Sequence, residues 1–190
     1  MVGSLSEKVQ QIHENLQRRH ATLAVAESLT GGELCAALTS VPGASRVIRG
    51  GLVVYATDLK GSLAGVDVDL LSRVGAVDPA VAAQLAVGAR DRLQATFGVG
   101  LTGVAGPEQQ SGHPVGEVHA AVAGPASFAS DPTTLLTTTL DDQTLPPRRD
   151  VRSSDVRSRD VRAEVRQAAV GAAIDLVLAA VREWPAKPIG

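Results

Sequence analysis

T-L-A-V-A-E-S-L-T-G-G, residues 22–32, joins a short strand to the start of a helix. Residues 22–26 are apolar apart from the first, which predicts a buried strand, and a helical pattern follows from residue 33. Such a junction leaves the Ser28 hydroxyl at the carboxyl end of a sheet, the edge where α/β proteins bind their ligands. We therefore expect Ser28 to lie in a functional site.

The residues after Ser28 add a second prediction. Unpaired N–H groups at a helix start hold an anion or a developing oxyanion, so the backbone around Thr30, Gly31 and Gly32 is a candidate binding element. The two glycines also let a ligand approach the backbone closely. The alternative is structural: Ser28 or Thr30 caps the helix, and the glycines only shape the turn.

A phenol and an amine follow the next apolar run. Residues 52–55, L-V-V-Y, predict a second buried strand, and Lys60 comes five residues after Tyr55. A helix that starts at Asp58 would hold Lys60 in its first turn, where the helix dipole disfavours a cation. The lysine pKa would then be lowered, as a lysine general base requires. The alternative is an ordinary exposed lysine.

A third apolar run, residues 98–101, leads into T-G-V-A-G-P at residues 102–107. The glycines of this loop could bring backbone N–H groups onto a phosphate, although no G-x-x-x-x-G-K-[ST] pattern is present. A plain turn is the alternative. Because the carboxyl ends of parallel strands share one edge of a sheet, the three loops that follow these strands are expected to converge on one crevice.

The rest of the chain supplies the other elements of an α/β fold. Periodicity predicts helices over residues 4–19, 78–97 and 163–183, and strands over residues 115–123 and 133–140. The order β-α-β-α-β-β-β-α predicts a three-layer α/β/α sandwich around a mixed, mostly parallel sheet. His13 and His20 are expected on the solvated face of the first helix.

The composition indicates one domain over residues 1–190 with a core of small aliphatic side chains, because 44% of the residues are hydrophobic and 2% aromatic. The net charge of -2 gives no basic footprint for nucleic acid. A single cysteine, Cys35, excludes internal disulfides and a multi-cysteine metal site. Since no apolar run could span a bilayer and no signal peptide is recognised, we expect a cytoplasmic protein that does not contact a membrane.

Residues 141–160 form an irregular, charged insert in this domain. Residues 141–147 read as a linker, and Asp-Val-Arg then occurs three times, starting at residues 150, 155 and 160. A period of five residues matches no standard repeat architecture. The charges fit either a solvated extension of the last helix or a disordered insert.

In combination and order, the motifs resemble the C-terminal domain of the CinA (competence/damage-inducible) family, whose stand-alone members are nicotinamide mononucleotide deamidases. The likeness covers about residues 5–182, apart from the 141–160 insert. The segments that carry it are A-E-S-L-T-G-G (26–32), T-S-V-P-G-A-S (39–45), R-G-G-L-V-V-Y (49–55), Lys60, T-G-V-A-G-P (102–107), H-P-V-G-E-V (113–118) and R-x-x-V-R (162–166).

The resemblance implies an amidohydrolase of pyridine-nucleotide salvage, which converts nicotinamide mononucleotide and water to nicotinic acid mononucleotide and ammonia without a metal or cofactor. Carried over to this chain, Ser28 is the nucleophile, Lys60 the base that takes its proton, and Tyr55 a group that orients or shares that proton. Ser45 assists by hydrogen bonding and is the second candidate for the nucleophile. The backbone at Thr30, Gly31 and Gly32 would form the oxyanion hole, Thr102, Gly103 and Gly106 would face the nucleotide, and Arg162 is a candidate phosphate partner. A homodimer or higher homo-oligomer is also implied.

Three departures from the family pattern bear on the substrate. Leu29 stands where members usually carry Cys, Thr57 stands where they carry Asn, and residues 108–110 are Glu-Gln-Gln where the family loop is glycine-rich. A carboxylate at Glu108 is unfavourable beside a phosphate unless it points away.

Two alternatives to this deamidase remain open. One is an amidase on a different substrate. The other is a non-catalytic interaction module in DNA damage response or competence. Retention of Ser28, Tyr55 and Lys60 together favours an enzyme, because a docking role gives no reason to keep them.

Overall fold

A computed structural model describes residues 3–125, 135–140 and 154–184 of the chain. The elements in chain order are α1 (Leu5–Gln17), β1 (Leu23–Glu27), α2 (Glu33–Thr39), a 3₁₀ turn (Ala44–Arg46), β2 (Ile48–Val53), α3 (Thr57–Ser62), α4 (Val68–Val74), α5 (Pro79–Arg92), β3 (Phe97–Gly103), β4 (Val118–Ala123), β5 (Leu135–Leu140) and α6 (Ser154–Glu183).

The five strands form one mixed sheet in the order β2-β1-β3-β4-β5. Strand β1 pairs in parallel with both β2 and β3, whereas β4 runs antiparallel to β3 and β5 antiparallel to β4. Four of the five strands therefore point the same way. The register places Glu27 at the end of β1 between Val53 of β2 and Leu101 of β3, so these three strands end side by side.

Helices cover both faces of the sheet and make three layers. One face packs against α1, α2 and α6 through a large aliphatic cluster that includes Leu23 and Val25 of β1. The next residues along β1, Ala24 and Ala26, face the opposite side and pack with residues of α5. This period-two alternation is what two apolar faces require, and the predicted three-layer α/β/α sandwich is confirmed.

Several boundaries differ from the sequence-based predictions. Strand β2 begins at Ile48, so it includes Gly50 and Gly51, and it lies at the sheet edge with alternate residues partly exposed. The prediction of a buried strand over residues 52–55 was therefore wrong. Helix α5 starts after the Asp78 cap as predicted but ends at Arg92, because the chain must turn before β3.

The first and last helices add two corrections. His13 lies on the buried face of α1 and its Nε2 lies 2.9 Å from the Leu38 carbonyl oxygen, so the prediction of a solvated position was wrong; His20 is exposed as expected. Helix α6 begins at Ser154, which makes residues 154–160 of the 141–160 insert an extension of the last helix. Residues 141–153 of that predicted insert lie outside the described residues.

Among the described helices, none combines the length and the apolarity that a bilayer crossing needs.

Candidate active site

A pocket opens where β1, β2 and β3 end. The convergence of three strand ends on one crevice, expected from the sequence, accounts for its position. Its lining residues are Ser28, Leu29, Tyr55, Thr57, Lys60, Ala76, Val77, Thr102, Gly103, Val104, Ala105, Gly106, Glu108, Gln110 and Arg162.

Ser28 and Lys60 are in direct contact inside this pocket. The Lys60 Nζ donates hydrogen bonds to the Ser28 Oγ and to the Val54 carbonyl oxygen, both at 2.8 Å. Lys60 lies on α3, and only 1% of its surface is exposed, compared with 9% for Ser28. The pair has the geometry of a nucleophile with a base in hydrogen-bond reach.

Burial lowers the pKa of Lys60 from 10.5 to about 8. The physical cause is desolvation, because the charged ammonium loses water that two hydrogen bonds replace only in part. The sequence predicted a lowered pKa from a helix-start position, but burial is the dominant cause. A lysine that titrates near 8 holds a useful neutral fraction at neutral pH, as a general base needs.

Tyr55 lines the pocket from a more exposed position than the other two predicted catalytic residues. Its side chain is 57% exposed, and its phenol oxygen accepts a hydrogen bond from Arg162 Nη2. Arg162 Nη1 also donates to the Gly106 carbonyl oxygen at 2.7 Å. Arg162 therefore ties the end of β2 to the loop after β3, and its other N–H donors remain for a ligand.

Two of the three residues of the predicted oxyanion hole, Gly31 and Gly32, have N–H groups that are already bonded within the protein. The buried Glu27 carboxylate accepts hydrogen bonds from the N–H groups of Gly32 and Leu34, both at 3.0 Å, and of Cys35 at 2.8 Å. The Gly31 N–H donates to the Ser28 carbonyl oxygen at 3.0 Å. Gly31 and Gly32 therefore have no free N–H for a ligand.

Four of the predicted binding residues do not line the pocket: Thr30, Gly31, Gly32 and Ser45. Thr30 is fully buried, and its carbonyl oxygen accepts a 2.7 Å hydrogen bond from Arg166. Ser45 lies in the 3₁₀ turn that precedes β2, at the opposite end of the sheet from Ser28. Ser45 as a nucleophile or assisting residue is thus contradicted by the topology.

The other four predicted binding residues do line the pocket: Thr102, Gly103, Gly106 and Arg162. Thr102 is 1% exposed and its hydroxyl donates to the Ala76 carbonyl oxygen at 2.6 Å, so its contact with the α4–α5 loop is structural. Glu108 also lines the pocket, so a carboxylate is present in the same crevice as the Arg162 guanidinium.

Sequence reasoning missed Glu27 and the residues of the α4–α5 loop. For Glu27 a signal existed, since a carboxylate ends an otherwise apolar strand just before a helix. In alternation with Leu23 and Val25, that carboxylate had to face α2. Ala76 and Val77 carry no chemical signal in the sequence, because only the packing of the loop brings them to the pocket.

A second polar cluster lies on the hairpin beside the pocket and does not line it. Glu117 Oε1 lies 2.9 Å from His113 Nδ1 and 2.9 Å from His119 Nε2. Burial alone would raise the pKa of Glu117, but the hydrogen bonds and charges of the two histidines lower it. Within the described part of the chain, no group of three His, Cys, Asp or Glu side chains could hold a metal ion.

Comparison with known proteins places these features in a family. Residues 5–142 match the CinA C-terminal domain. A CinA-like protein of Frankia casuarinae is 56% identical over 110 residues, which are 58% of this chain and 25% of that protein. A CinA-like protein of Gloeobacter violaceus is 54% identical over 111 residues, 58% of this chain and 26% of that protein. The chain thus spans about a quarter of the length of these curated relatives.

Solved structures agree over nearly the whole chain. The competence/damage-inducible protein CihA of Agrobacterium tumefaciens is 31% identical with a TM-score of 0.76, over 94% of this chain and 96% of that chain. A competence or damage-inducible protein of Enterobacter asburiae is 26% identical with a TM-score of 0.76, over 94% and 99% of the two chains.

Proposed function

The chain belongs to the CinA C-terminal domain family, and from this premise we propose that it is a nicotinamide mononucleotide amidohydrolase that works by a serine/lysine mechanism. The observation that carries the proposal is the buried 2.8 Å contact between Lys60 Nζ and Ser28 Oγ inside the pocket. A lysine buried beside a serine is costly to the fold, and base catalysis gives a reason to keep it.

The first chemical step is attack of Ser28 on the carboxamide carbon. Neutral Lys60 accepts the hydroxyl proton while one of its N–H groups stays bonded to the Val54 carbonyl oxygen. The Ser28 Oγ forms a bond to the carbon, and the carbonyl π electrons move to the oxygen. Lys60 then gives its proton to the leaving nitrogen, and ammonia departs from an acyl-enzyme.

The second step repeats this chemistry with water. Lys60 takes a proton from water, the resulting hydroxide attacks the ester carbon, and the Ser28 oxygen leaves with the proton that Lys60 returns. The products are nicotinic acid mononucleotide and free enzyme. Lys60 thus serves as the base in both half-reactions, and the atoms and protons of the two steps balance without a metal or a redox partner.

We assign the oxyanion donor to the backbone N–H of Leu29. Leu29 lines the pocket next to Ser28, and within the described residues its N–H has no hydrogen-bond partner. In α/β-hydrolases, whose serine sits on a tight strand-to-helix turn, the residue after the nucleophile supplies such a donor. One donor of this kind contributes on the order of 3–4 kcal/mol to the transition state.

The nucleotide substrate class is supported by the family resemblance and by the charges of the pocket. Arg162 presents a guanidinium at the pocket, and the glycine loop after β3 lines the same wall. Glu108 lines the pocket too and favours a second candidate, an amidase whose substrate lacks a phosphate at this position. The two candidates share the serine/lysine chemistry and differ only in the ligand.

Ammonia release from nicotinamide mononucleotide tests the proposal directly. We expect activity in the wild type, its loss in Ser28→Ala and Lys60→Ala, and its retention in Ser45→Ala, the matched serine control at the other end of the sheet. Circular dichroism checks that each variant is folded. Activity that survives Ser28→Ala, or a folded wild type without ammonia release, would reject the proposed reaction.

A further inference from the structure

Glu27 is a buried carboxylate that no step of the proposed reaction uses. It is completely buried, and none of the ion pairs within the described residues involves it. Its oxygens accept three backbone N–H groups, from Gly32, Leu34 and Cys35. Burying a carboxylate without a cation costs several kcal/mol unless hydrogen bonds replace its water. A carboxylate that is buried directly before Ser28 and depends on these three hydrogen bonds therefore needs a functional or structural explanation.

We propose that Glu27 is a positioning residue that fixes the nucleophile turn, residues 28–32, so that Ser28 points at Lys60. The inference rests on Ser28 as the nucleophile of the proposed function. Glu27 does not touch the reacting atoms; it acts through the backbone that carries Ser28.

The alternating side-chain directions along β1 explain how Glu27 can hold the start of α2 while Ser28, the next residue, faces Lys60. Leu23 and Val25 face α2 and α6, and Glu27 continues that row beneath the start of α2. Ser28 follows on the other side of the chain, where Lys60 of α3 reaches it at 2.8 Å. Glu27 and Ser28 thus connect two helices on opposite faces of the sheet.

The nucleophile turn is closed at both of its ends. The Ser28 N–H donates to the Leu101 carbonyl oxygen of β3 at 3.1 Å, and the Gly31 N–H donates to the Ser28 carbonyl oxygen. The bond from Gly32 to Glu27 then joins the end of the turn to the residue before its start. With these bonds in place the Ser28 Oγ has little freedom, which is the condition for catalysis by a prepositioned nucleophile.

The carboxylate charge also matches its partners. Three N–H dipoles from the first turn of α2 point at it, and a negative charge is favoured there by the unpaired donors of a helix start. Burial, together with the Glu27 charge, raises the pKa of the nearby Cys35 thiol. An uncharged glutamine at position 27 would turn an NH₂ group toward at least one of the three N–H donors, and that hydrogen bond would be replaced by a repulsive contact.

The test compares Glu27→Gln with Asp67→Asn, which makes the same carboxylate-to-amide change at a helix cap outside the pocket, where Asp67 Oδ1 accepts the Asp69 N–H at 2.8 Å. Two readouts are taken: the rate at which a fluorophosphonate probe labels Ser28, and kcat and KM for nicotinamide mononucleotide. We expect Glu27→Gln to slow labelling and lower kcat by about 10- to 100-fold with KM changed less than threefold, since a misplacement near 1 Å costs rates of this order. Asp67→Asn should leave both rates within twofold of the wild type.

A second variant guards against a folding defect. Glu27→Asp keeps the charge but is one methylene shorter, so it can satisfy only part of the three N–H groups, and its labelling rate should lie between those of the wild type and Glu27→Gln. A folded Glu27→Gln or Glu27→Asp that labels as fast as the wild type would overturn the inference. A wild type that does not label at Ser28 would overturn it as well. A wild type that labels but does not hydrolyse nicotinamide mononucleotide would reject only the proposed substrate, and the labelling rates would still decide the role of Glu27.

Discussion

Lys60 is a cationic side chain held where water hardly reaches it, and both its chemistry and its cost follow from that position. Burial lowers its pKa to about 8, yet at pH 7 most molecules still carry the charge. Among the described residues, the Ser28 oxygen and the Val54 carbonyl oxygen accept hydrogen bonds from this ammonium. Active residues that strain the fold in this way exchange stability for activity.

The first prediction concerns the pH dependence of the reaction. If neutral Lys60 is the base, kcat/KM should rise with pH through an apparent pKa near 8, because only about a tenth of a group with that pKa is neutral at pH 7. The rate at pH 9 should be about tenfold that at pH 7. Initial rates of ammonia release over this range measure it, and a flat profile would contradict a lysine base.

The second prediction concerns stability, and we expect Lys60→Met to have a larger free energy of unfolding than the wild type at pH 7. A pKa that falls from 10.5 to about 8 on folding costs about 3 kcal/mol below pH 8. The loss of two hydrogen bonds, each about 1 kcal/mol, leaves a net gain of about 1–2 kcal/mol.

The sign of this stability difference should reverse at high pH. Above pH 10.5 Lys60 is neutral in both folded and unfolded chains, the charge penalty vanishes, and only the lost hydrogen bonds remain. Urea unfolding of wild type and Lys60→Met at pH 7 and pH 11 measures both ends. An equal difference at the two pH values would show that the charge is not the cause.

The third prediction separates the two candidate substrate types at Glu108. Two like unit charges about 4 Å apart in water repel each other by about 1 kcal/mol, so removing an anion that repels a phosphate should lower KM about fivefold. Glu108→Gln should therefore bind nicotinamide mononucleotide more tightly but leave KM for nicotinamide riboside, which has no phosphate, unchanged. A higher KM for both compounds would instead indicate that Glu108 attracts the cationic pyridinium ring.

At the scale of elements, the sequence predicted best where a strand delivers a residue directly. Ser28 follows β1 by one residue and the glycine loop follows β3, so the position of each was readable from the end of an apolar run. The sequence also predicted that Lys60 lies near these residues. It did not predict the burial of Lys60, because that burial depends on how α3 packs. Ser45 failed for a topological reason, because the turn that carries it precedes β2 and so lies at the amino end of the sheet.

The occupied start of α2 shows a limit of motif reasoning. A strand, a serine and two glycines predict free N–H groups, and the structure does place a helix start directly after this strand and serine. In the structure, N–H groups at this helix start donate to a side chain of the strand itself, the Glu27 carboxylate, instead of to a bound ligand. The motif thus located the start of α2, whereas the hydrogen-bond partner of each N–H group could be identified only from the folded structure.

The fourth prediction tests the contact between α5 and β3, which glycine makes possible. A Cβ at Gly100 would lie 2.1 Å from the Ala82 carbonyl oxygen and 2.4 Å from the Ala86 nitrogen, so Gly100→Ala must push α5 off the sheet. Overpacking of this kind costs about 3 kcal/mol. The control is Gly171→Ala in α6, which meets no atom within 4 Å and should stabilise by about 0.5–1 kcal/mol. Urea midpoints measure both, and a neutral Gly100→Ala would contradict the packing.

At the scale of the whole molecule, the site is assembled from segments far apart in the chain and secured by the last helix. Arg162 on α6 bonds to the Gly106 carbonyl oxygen and to Tyr55, and one helical turn later Arg166 bonds to Thr30 and pairs with Glu33 at 2.7 Å. Helix α6 thus holds the loops that follow all three parallel strands. The homo-oligomer stays a prediction that sedimentation would measure.

The last prediction concerns how the stability of the whole molecule depends on pH. Burial lowers the pKa of His13 from 6.5, against the opposing effect of its hydrogen bond to Leu38, and the two histidine partners lower the pKa of Glu117. Both shifts mean that the unfolded chain binds more protons than the folded one as the solution is acidified. The contribution of His13 is fully present above pH 6.5 and is lost as the pH falls below it, and that of Glu117 is lost below pH 4.5. Stability should therefore fall in two stages on the acid side.

Variants can assign these two stages, because each titrating group can be replaced by an amide of similar reach. His13→Gln keeps a donor for the Leu38 carbonyl oxygen but cannot titrate, so its free energy of unfolding should change less than that of the wild type between pH 7 and pH 5. Glu117→Gln should flatten the decline at lower pH. Urea unfolding from pH 8 to pH 3 measures both. If the free energy of unfolding of His13→Gln declined as steeply with pH as that of the wild type, protonation of His13 would not be the cause of the decline. The folded protein would then have to accommodate a charged His13 between α1 and Leu38, although burial disfavours that charge.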